Sequence, residues 1–174
     1  MERHGNSGFT LLEAVMVMAI SLVLAAVAAP IASNAINAYY LSATVSAASG
    51  AISSTRMQAI MHGYSYQLVF SPSVLTYQVI PSVGPSTTIP LPNAGGVSMQ
   101  GWINCPLTNP QTLIVLSCTK MTAGATITYT FAANGTVSFS PASSPAAVGM
   151  QISNKVSSNT IWVSGVGYVS TSTP

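Results

Sequence analysis

An apolar run close to the N-terminus constrains the fold of this chain more than any other feature. Residues 14–32 carry no charged side chain, and the first charge after Glu13 is Arg56. Nineteen residues of α-helix span roughly 28 Å, which is close to the thickness of the hydrocarbon core of a bilayer. The sequence therefore predicts a membrane-spanning helix over residues 9–33.

A cleaved secretory signal peptide is the alternative interpretation of this run. The small residues before Pro30, in the stretch AVAAP, imitate a signal-peptide cleavage site. Against this, the charged leader MERHGNSG ends where the apolar run begins. We therefore expect the apolar helix to remain in the mature protein.

Composition separates the chain from ordinary soluble proteins. Charged residues make up 3% of its 174 residues, against roughly 25% in a typical globular domain. The acidic residues are Glu2 and Glu13, and the net charge is +2. The few cations are widely separated in sequence and form no basic patch, so the usual electrostatic signature of nucleic-acid binding is missing.

Helical periodicity continues beyond the apolar run. Apolar residues recur at three- and four-residue spacing between residues 36 and 61, and we expect a helical continuation over residues 34–63. These residues are Ile36, Tyr39, Tyr40, Ala43, Ala47, Ala51, Ile52, Met57, Ile60 and Met61. Gly63 is a suitable C-terminal stop, whereas Pro30 removes a backbone donor and predicts a helix kink.

After Gly63 the pattern changes to short runs typical of β-strands. Strands are predicted at residues 64–70, 75–80, 97–103, 112–118, 126–131, 136–139, 148–153 and 160–170. Asn134-Gly135 predicts a hairpin turn, and residues 81–96 are rich in Pro, Gly and Ser and predict a loop. The predicted fold class is α+β: a long N-terminal membrane-spanning helix packed on a β-rich head over residues 64–174.

The two cysteines, Cys105 and Cys118, lie in one region of the predicted head. A disulfide between them is plausible if the head is exported, and it would contribute roughly 3 kcal/mol in the loop-entropy model. Two buried free thiols are the alternative. We favour the disulfide, because the membrane-spanning helix would place the head outside the cytoplasm.

The predicted head lacks the residues that enzymatic chemistry requires. It contains neither Asp nor Glu, and the histidine nearest to it, His62, falls at the expected end of the helix, where we expect it to contact the terminal carbonyls. Two cysteines and a distant histidine do not have zinc-site spacing. We therefore predict that the protein is not an enzyme, that it uses no cofactor and no metal, and that Trp102 and Trp162 are core residues.

The stretch GFTLLE, from Gly8 to Glu13, resembles the processing site of type IV pilins and type II secretion pseudopilins. The resemblance implies that a prepilin peptidase removes residues 1–8 after Gly8 and methylates the new N-terminus at Phe9. It also implies a single-pass protein of the bacterial inner membrane with its head in the periplasm, which later enters a pilus or pseudopilus. The apolar helix, with Pro30 inside it, would serve first as an anchor and then as an assembly element.

The same resemblance implies a role for Glu13, whose carboxylate is costly near a bilayer. In this family the glutamate neutralises the N-terminal amine of an adjacent subunit, which would here be the amine of Phe9. A carboxylate and an ammonium attract strongly in low dielectric. The alternative is a carboxylate that merely lies in the headgroup region.

The head is similar to the GspH/FimT group of minor pseudopilins, through RMQAIMHGYSYQLVF, YTFAANGTVSF and IWVSGVGYVS. The implied function is a minor pilin or pseudopilin, a structural subunit that primes or caps a filament for protein secretion. Its implied partners are other pilin subunits, the prepilin peptidase and the inner-membrane assembly platform. Some relatives of the FimT type bind DNA through a C-terminal motif of glycine and arginine, but GVGYVS has no arginine, so no nucleic acid is predicted.

Two other functions remain open at this point. The chain is alternatively a filament-borne binding module for DNA uptake or for a secreted substrate, or an abundant major pilin. The scarcity of exposed charge in the sequence favours the structural subunit over the DNA-binding module.

Overall fold

The computed structural model describes residues 10–92, 96–105, 118–141 and 147–172. Helix α1 spans Leu11–His62, and the chain divides into two compact units after Ile36. The fold class is α+β, as the sequence predicts: a long apolar helix followed by a head of two antiparallel sheets, on which its C-terminal half packs.

The first unit contains the apolar part of α1. Its large side chains are exposed in the isolated chain, from Leu11 to Ile31. The helix is assigned without interruption through Pro30. Pro30 has no N–H, so the carbonyl of Ala26 loses its usual helical donor at this turn.

The second unit begins with the remainder of α1, which buries a single face. The buried residues recur every three or four positions: Leu41, Thr44, Val45, Ala48, Ala51, Ile52, Thr55 and Ala59. Ala48, Ala51 and Ala59 are small and let the helix axis approach the sheets closely. The helix ends at His62, and Gly63 follows in the left-handed conformation with φ 71°, which is the geometry that favours glycine at a helix C-terminus.

The helix continues to His62 as expected, but the large apolar residues that indicate this continuation do not mark its buried face. Ala51 and Ile52 are buried, but Ile36, Tyr39, Met57, Ile60 and Met61 are exposed. The buried face instead contains two threonines, and their hydroxyls bond to backbone carbonyls. Thr55 Oγ1 donates to the Ala51 carbonyl at 2.7 Å, and Thr44 Oγ1 lies 2.6 Å from the carbonyl of Pro92. Internal bonding allows a polar residue to occupy the core side of the helix.

Two five-stranded antiparallel sheets complete the second unit. The first sheet has the order β3-β2-β1-β6-β7 and the second the order β10-β9-β8-β4-β5. The strands are β1 Tyr66–Ser71, β2 Thr76–Pro81, β3 Thr87–Pro90, β4 Ser98–Cys105, β5 Thr119–Lys120, β6 Ile127–Phe131, β7 Val137–Ser140, β8 Ala147–Ser153, β9 Ser158–Val163 and β10 Val169–Ser172.

Both sheets and the buried face of α1 share one hydrophobic core. Alternate residues of the strands point into it, as the two-residue period of a strand requires. The first sheet contributes Leu68, Phe70, Ile127, Tyr129 and Phe131, and the second contributes Met99, Met150, Ile152, Ile161 and Val163. This shared core makes the second half of α1 part of the head.

Most of the predicted strands are present, and the Asn134-Gly135 hairpin is confirmed. β6 and β7 pair in an antiparallel register across this turn, with Gly135 at φ 81° and the Asn134 side chain accepting from the backbone N–H of Thr136. The predicted strand at residues 112–118 lies almost wholly outside the described residues, which resume at Cys118.

The expected loop at residues 81–96 is partly wrong, because it contains β3. This strand is an edge strand whose four residues are all exposed, so it has no alternation of buried and exposed positions for the sequence to reveal. Pro90 is tolerated there because an edge strand needs fewer backbone donors. The two-residue strand β5 was also not predicted.

A second, smaller cluster lies around Trp162. It contains Cys105, Ala147 and Trp162, with Trp102 and Cys118 packed against it. The ring of Trp162 covers the Cα of Gly149, where any side chain would collide with it. The indole N–H donates to Ser172 Oγ at 3.1 Å, so the last strand is tied to this cluster.

Candidate functional site

The N-terminus of α1 is capped by Thr10. Its carbonyl accepts from the backbone N–H groups of Glu13 and Ala14 at 3.1 and 3.2 Å, and its Oγ1 accepts from the Glu13 N–H at 3.3 Å. Threonine followed by glutamate three positions later is the sequence of a capping box. Thr10 therefore fixes the point at which the helix begins.

Glu13 lies in the first turn of the helix, and its side chain is exposed. The partial positive charge of the helix N-terminus favours a carboxylate at this position. Among the residues that the structure describes, no donor lies within hydrogen-bonding distance of the Glu13 carboxylate, and only its backbone N–H bonds to Thr10. The carboxylate is thus available to a group outside the described chain.

The helix that follows Glu13 is apolar on every side. Its hydroxyl at Ser21 is satisfied internally, because Oγ donates to the Val17 carbonyl at 2.8 Å. Internal satisfaction of polar groups is what a hydrocarbon environment requires. The helix Leu11–His62 is long and apolar enough to cross a membrane, and its most apolar window buries none of its residues.

The expected processing residues Gly8 and Phe9 lie outside the described residues. Thr10, the first described residue, immediately follows the predicted new N-terminus.

Comparison with protein families bears on this same segment. The model of the prokaryotic N-terminal methylation motif matches residues 3–29. The motif supports a type IV pilin-like or pseudopilin subunit. Such a motif indicates a structural subunit that is processed by a prepilin peptidase and assembles with other pilins, and it is consistent with a membrane anchor. No curated protein and no solved structure matches the chain significantly.

At the other end of α1, His62 contacts two tyrosines. Its Nδ1 lies 2.6 Å from the hydroxyl of Tyr66, which in turn donates to the hydroxyl of Tyr64 at 3.3 Å. The hydrogen bond with Tyr64 raises the pKa of Tyr66, and partial burial acts in the same direction. The expected contact of His62 with the terminal carbonyls is wrong, because the side chain turns toward β1.

A disulfide joins Cys105 and Cys118, whose Cα atoms are 4.5 Å apart. It connects the end of β4 to the start of β5 and lies within the cluster around Trp162. Among the described residues, no three metal-binding side chains lie together.

Arg56 is a residue whose importance the sequence analysis missed. Its Nε donates to the Gly135 carbonyl and its Nη2 donates to the Val166 carbonyl, each at 3.1 Å. These carbonyls belong to the β6–β7 turn of one sheet and the β9–β10 turn of the other, so one side chain connects the helix to both sheets. A usable signal existed: Arg56 is the first charge after Glu13 and has no carboxylate near it in sequence.

Two glycines make room for this arginine. Gly135 and Gly167 both have positive φ, at 81° and 77°. A Cβ on Gly135 would lie 3.4 Å from Arg56 Nη2, and a Cβ on Gly167 would collide with the guanidinium. The C-terminal segment GVGYVS thus contains no arginine of its own but packs against the arginine of the helix.

Proposed function

We propose that this protein is a minor pilin or pseudopilin of the GspH/FimT type, anchored in the bacterial inner membrane with its head in the periplasm. In this role it enters a type II secretion pseudopilus or a type IV pilus and primes or caps the assembly of that filament. The proposal rests mainly on one observation: an apolar, Thr10-capped helix that presents a carboxylate with no partner in the described chain.

The chemistry of assembly follows from this arrangement. An isolated carboxylate in a low-dielectric environment is costly, and pairing it with an ammonium removes most of that cost. The amine that prepilin peptidase would expose at Phe9 of a neighbouring subunit is the partner we propose for Glu13. The apolar faces of the helices would then pack against one another when the subunits leave the lipid.

Processing is the first expectation to test. Mass spectrometry of the mature protein should find an N-terminus at Phe9 that carries a methyl group. An N-terminus after Pro30 would mean that an ordinary signal peptidase cleaves the chain, and it would contradict the proposal.

The pairing is tested with three substitutions of Glu13 in the full chain. Glu13→Ala and Glu13→Gln should both reduce incorporation into sheared filaments by at least about tenfold, because each leaves the partner ammonium without a counter-charge. Glu13→Asp keeps the charge and should retain part of the incorporation. The amount of protein in the membrane fraction should stay the same for all three.

Comparing Glu13→Gln with Glu13→Asp distinguishes the effect of the charge from the effect of side-chain shape, because the first keeps the shape and the second keeps the charge. If Glu13→Gln enters filaments as well as the natural chain does, Glu13 is only a headgroup carboxylate and the proposed pairing is wrong.

Quantitative mass spectrometry of the same filaments tests whether the protein is a minor subunit. We expect far fewer copies of this protein than of the main subunit. Equal or greater abundance would identify a major pilin instead.

A further inference from the structure

The surroundings of Arg56 form a shallow site on the head. A cavity of about 310 Å³ lies between α1 and the β9–β10 turn. Ser53, Met57 and Ile60 line it from the helix, and Gly167 and Tyr168 line it from the turn, with Arg56 among them. Tyr168 is 59% exposed and Met57 is 57% exposed, so the walls are apolar surfaces that the head leaves uncovered.

The position of the Arg56 guanidinium is fixed before any partner arrives. Two of its donors are held by the carbonyls of Gly135 and Val166. A guanidinium has five N–H donors, and among the described residues no other acceptor bonds to Arg56. The remaining donors are therefore available to a group that enters the cavity.

The sequence offers Arg56 no acidic side chain within the head. The acidic residues of the whole sequence are Glu2 and Glu13, so the chain beyond the membrane segment contains no acidic side chain. The two carbonyls supply only partial negative charge. An arginine that is half-buried, held in place and surrounded by apolar side chains binds a carboxylate more strongly than an exposed one does, because less water competes for it.

We propose that this cavity docks an acidic side chain, flanked by apolar residues, of a different protein subunit in the same filament. The Asp or Glu carboxylate would accept from the free donors of Arg56, and its apolar neighbours would cover Met57, Ile60 and Tyr168. The head of a second copy of this chain does not fit, because it offers no acidic side chain. The inference rests on the proposed function for the filament but not on the role of Glu13.

The test changes the charge of the cavity without touching Arg56, since Arg56 also supports two turns. Ser53 is exposed and precedes Arg56 by three residues, so the two side chains are neighbours on the helix surface. Ser53→Glu should occupy the free donors from within the chain. Ser53→Gln has nearly the same size without the charge and is the matched control.

The readout is photo-crosslinking in cells, with Tyr168 replaced by p-benzoyl-phenylalanine in the full chain. We expect an adduct with another filament subunit, joined at a segment that contains Asp or Glu. Ser53→Glu should give a yield about tenfold lower than Ser53→Gln, which is the scale of losing a hydrogen-bonded charge pair, because the two variants alter the cavity wall by nearly the same volume and differ in charge. When this chain carries Ser53→Gln, changing the acidic residue of the partner segment to Lys should weaken the adduct. When this chain carries Ser53→Glu, the same change in the partner should restore the adduct.

Other outcomes overturn the inference. An adduct with a second copy of this chain, with nucleic acid or with no macromolecule contradicts it, as does an adduct that is insensitive to Ser53→Glu. The proposed function is judged separately from the natural chain: its absence from sheared filaments would contradict that function. Its presence in filaments without the Tyr168 adduct would contradict only the docking site.

Discussion

Residues 11–36 and residues 37–62 belong to one helix, yet the two halves bury their side chains in different ways. Beyond Glu13 the first half is apolar on all sides, and its large side chains are exposed in the isolated chain. The second half buries one face, built from small residues and internally bonded threonines, in the core of the head. A helix that is apolar on all sides is suited to surroundings of lipid or other helices. A helix with a single buried stripe is suited to packing one face against a sheet.

This difference teaches that hydrophobicity alone does not locate the core of such a protein. Leu24 is 65% exposed, and Ile52 is completely buried. We expect mutations in the second half to change the stability of the head and mutations in the first half to change membrane insertion and assembly. The predictions below test this division, from the largest expected effect to the smallest.

Truncating a core residue of the second half should have the largest effect. Ile52→Ala should lower the free energy of unfolding of the head by about 2–5 kcal/mol, because it removes packing and leaves a cavity. Leu24→Ala should leave it unchanged. Thermal unfolding of the full chain in detergent measures both, and an equal loss for the two variants would contradict the division.

Removing the disulfide should affect the head alone. The Cys105→Ala, Cys118→Ala double variant should lose roughly 3 kcal/mol of stability, since the unfolded chain gains conformational freedom. Membrane insertion should not change. Peptide mapping under non-reducing conditions should find the linked pair in the natural protein, and complete labelling of both thiols would contradict this expectation.

The two helix-breaking residues should respond differently to alanine. Gly50 is inside the helix, and nothing lies within 4 Å of the Cβ that alanine would add. Gly50→Ala should therefore stabilise the head by about 0.5–1 kcal/mol. Pro30→Ala should leave the stability of the head unchanged, and we propose that it acts instead on filament incorporation, because it gives the Ala26 carbonyl a helical donor. If Pro30→Ala instead stabilised the head by a similar amount, the first half of the helix would contribute to the stability of the head, and the division between the halves would be wrong.

The smallest effect at neutral pH is expected at Tyr129. Its buried hydroxyl has no partner among the described residues, so Tyr129→Phe should change stability at pH 7 by under about 1 kcal/mol. Burial raises the pKa of Tyr129, so the unfolded chain releases this proton first as the pH rises above the ordinary value of 10.0. The stability of the natural head should therefore fall above that pH.

This pH dependence also separates the two halves of the helix. Circular dichroism at alkaline pH in detergent should show loss of the strands and of the second half of α1, while the helical signal of the first half remains. The Tyr129→Phe variant should lose less stability between pH 10 and pH 12 than the natural protein. An identical alkaline profile would mean that Tyr129 does not control the transition.

The sequence predicts the elements of this protein well where local chemistry determines them. The apolar run, the stop at Gly63 and the Asn134-Gly135 hairpin are all encoded by neighbouring residues. β3 was missed because an exposed edge strand has no buried side. The sequence also does not reveal which face of the second half of α1 is buried, because that face uses Thr44, Thr55 and alanines. Periodicity of large apolar residues does not detect such a face.

The residues of the candidate site likewise differ in whether the sequence alone reveals their role. Glu13 is evident from sequence because a charge interrupts an apolar run, and Thr10 completes a local capping motif. The role of Arg56 depends on carbonyls 79 and 110 residues further along the chain. No local pattern reveals a contact of that range, although the missing counter-charge does mark the residue.

The packing of Trp162 beside Cys105 and Cys118 has an optical consequence. A disulfide in contact with an indole quenches its fluorescence, so the emission of Trp162 should be weak in the oxidised head and should rise on reduction. The indole is also tied to Ser172 in β10, so detachment of that last strand should shift the emission to longer wavelength. With Trp102 replaced by Phe, Trp162 is the one remaining indole and can follow both the oxidation of the head and the closure of its second sheet, without any added label.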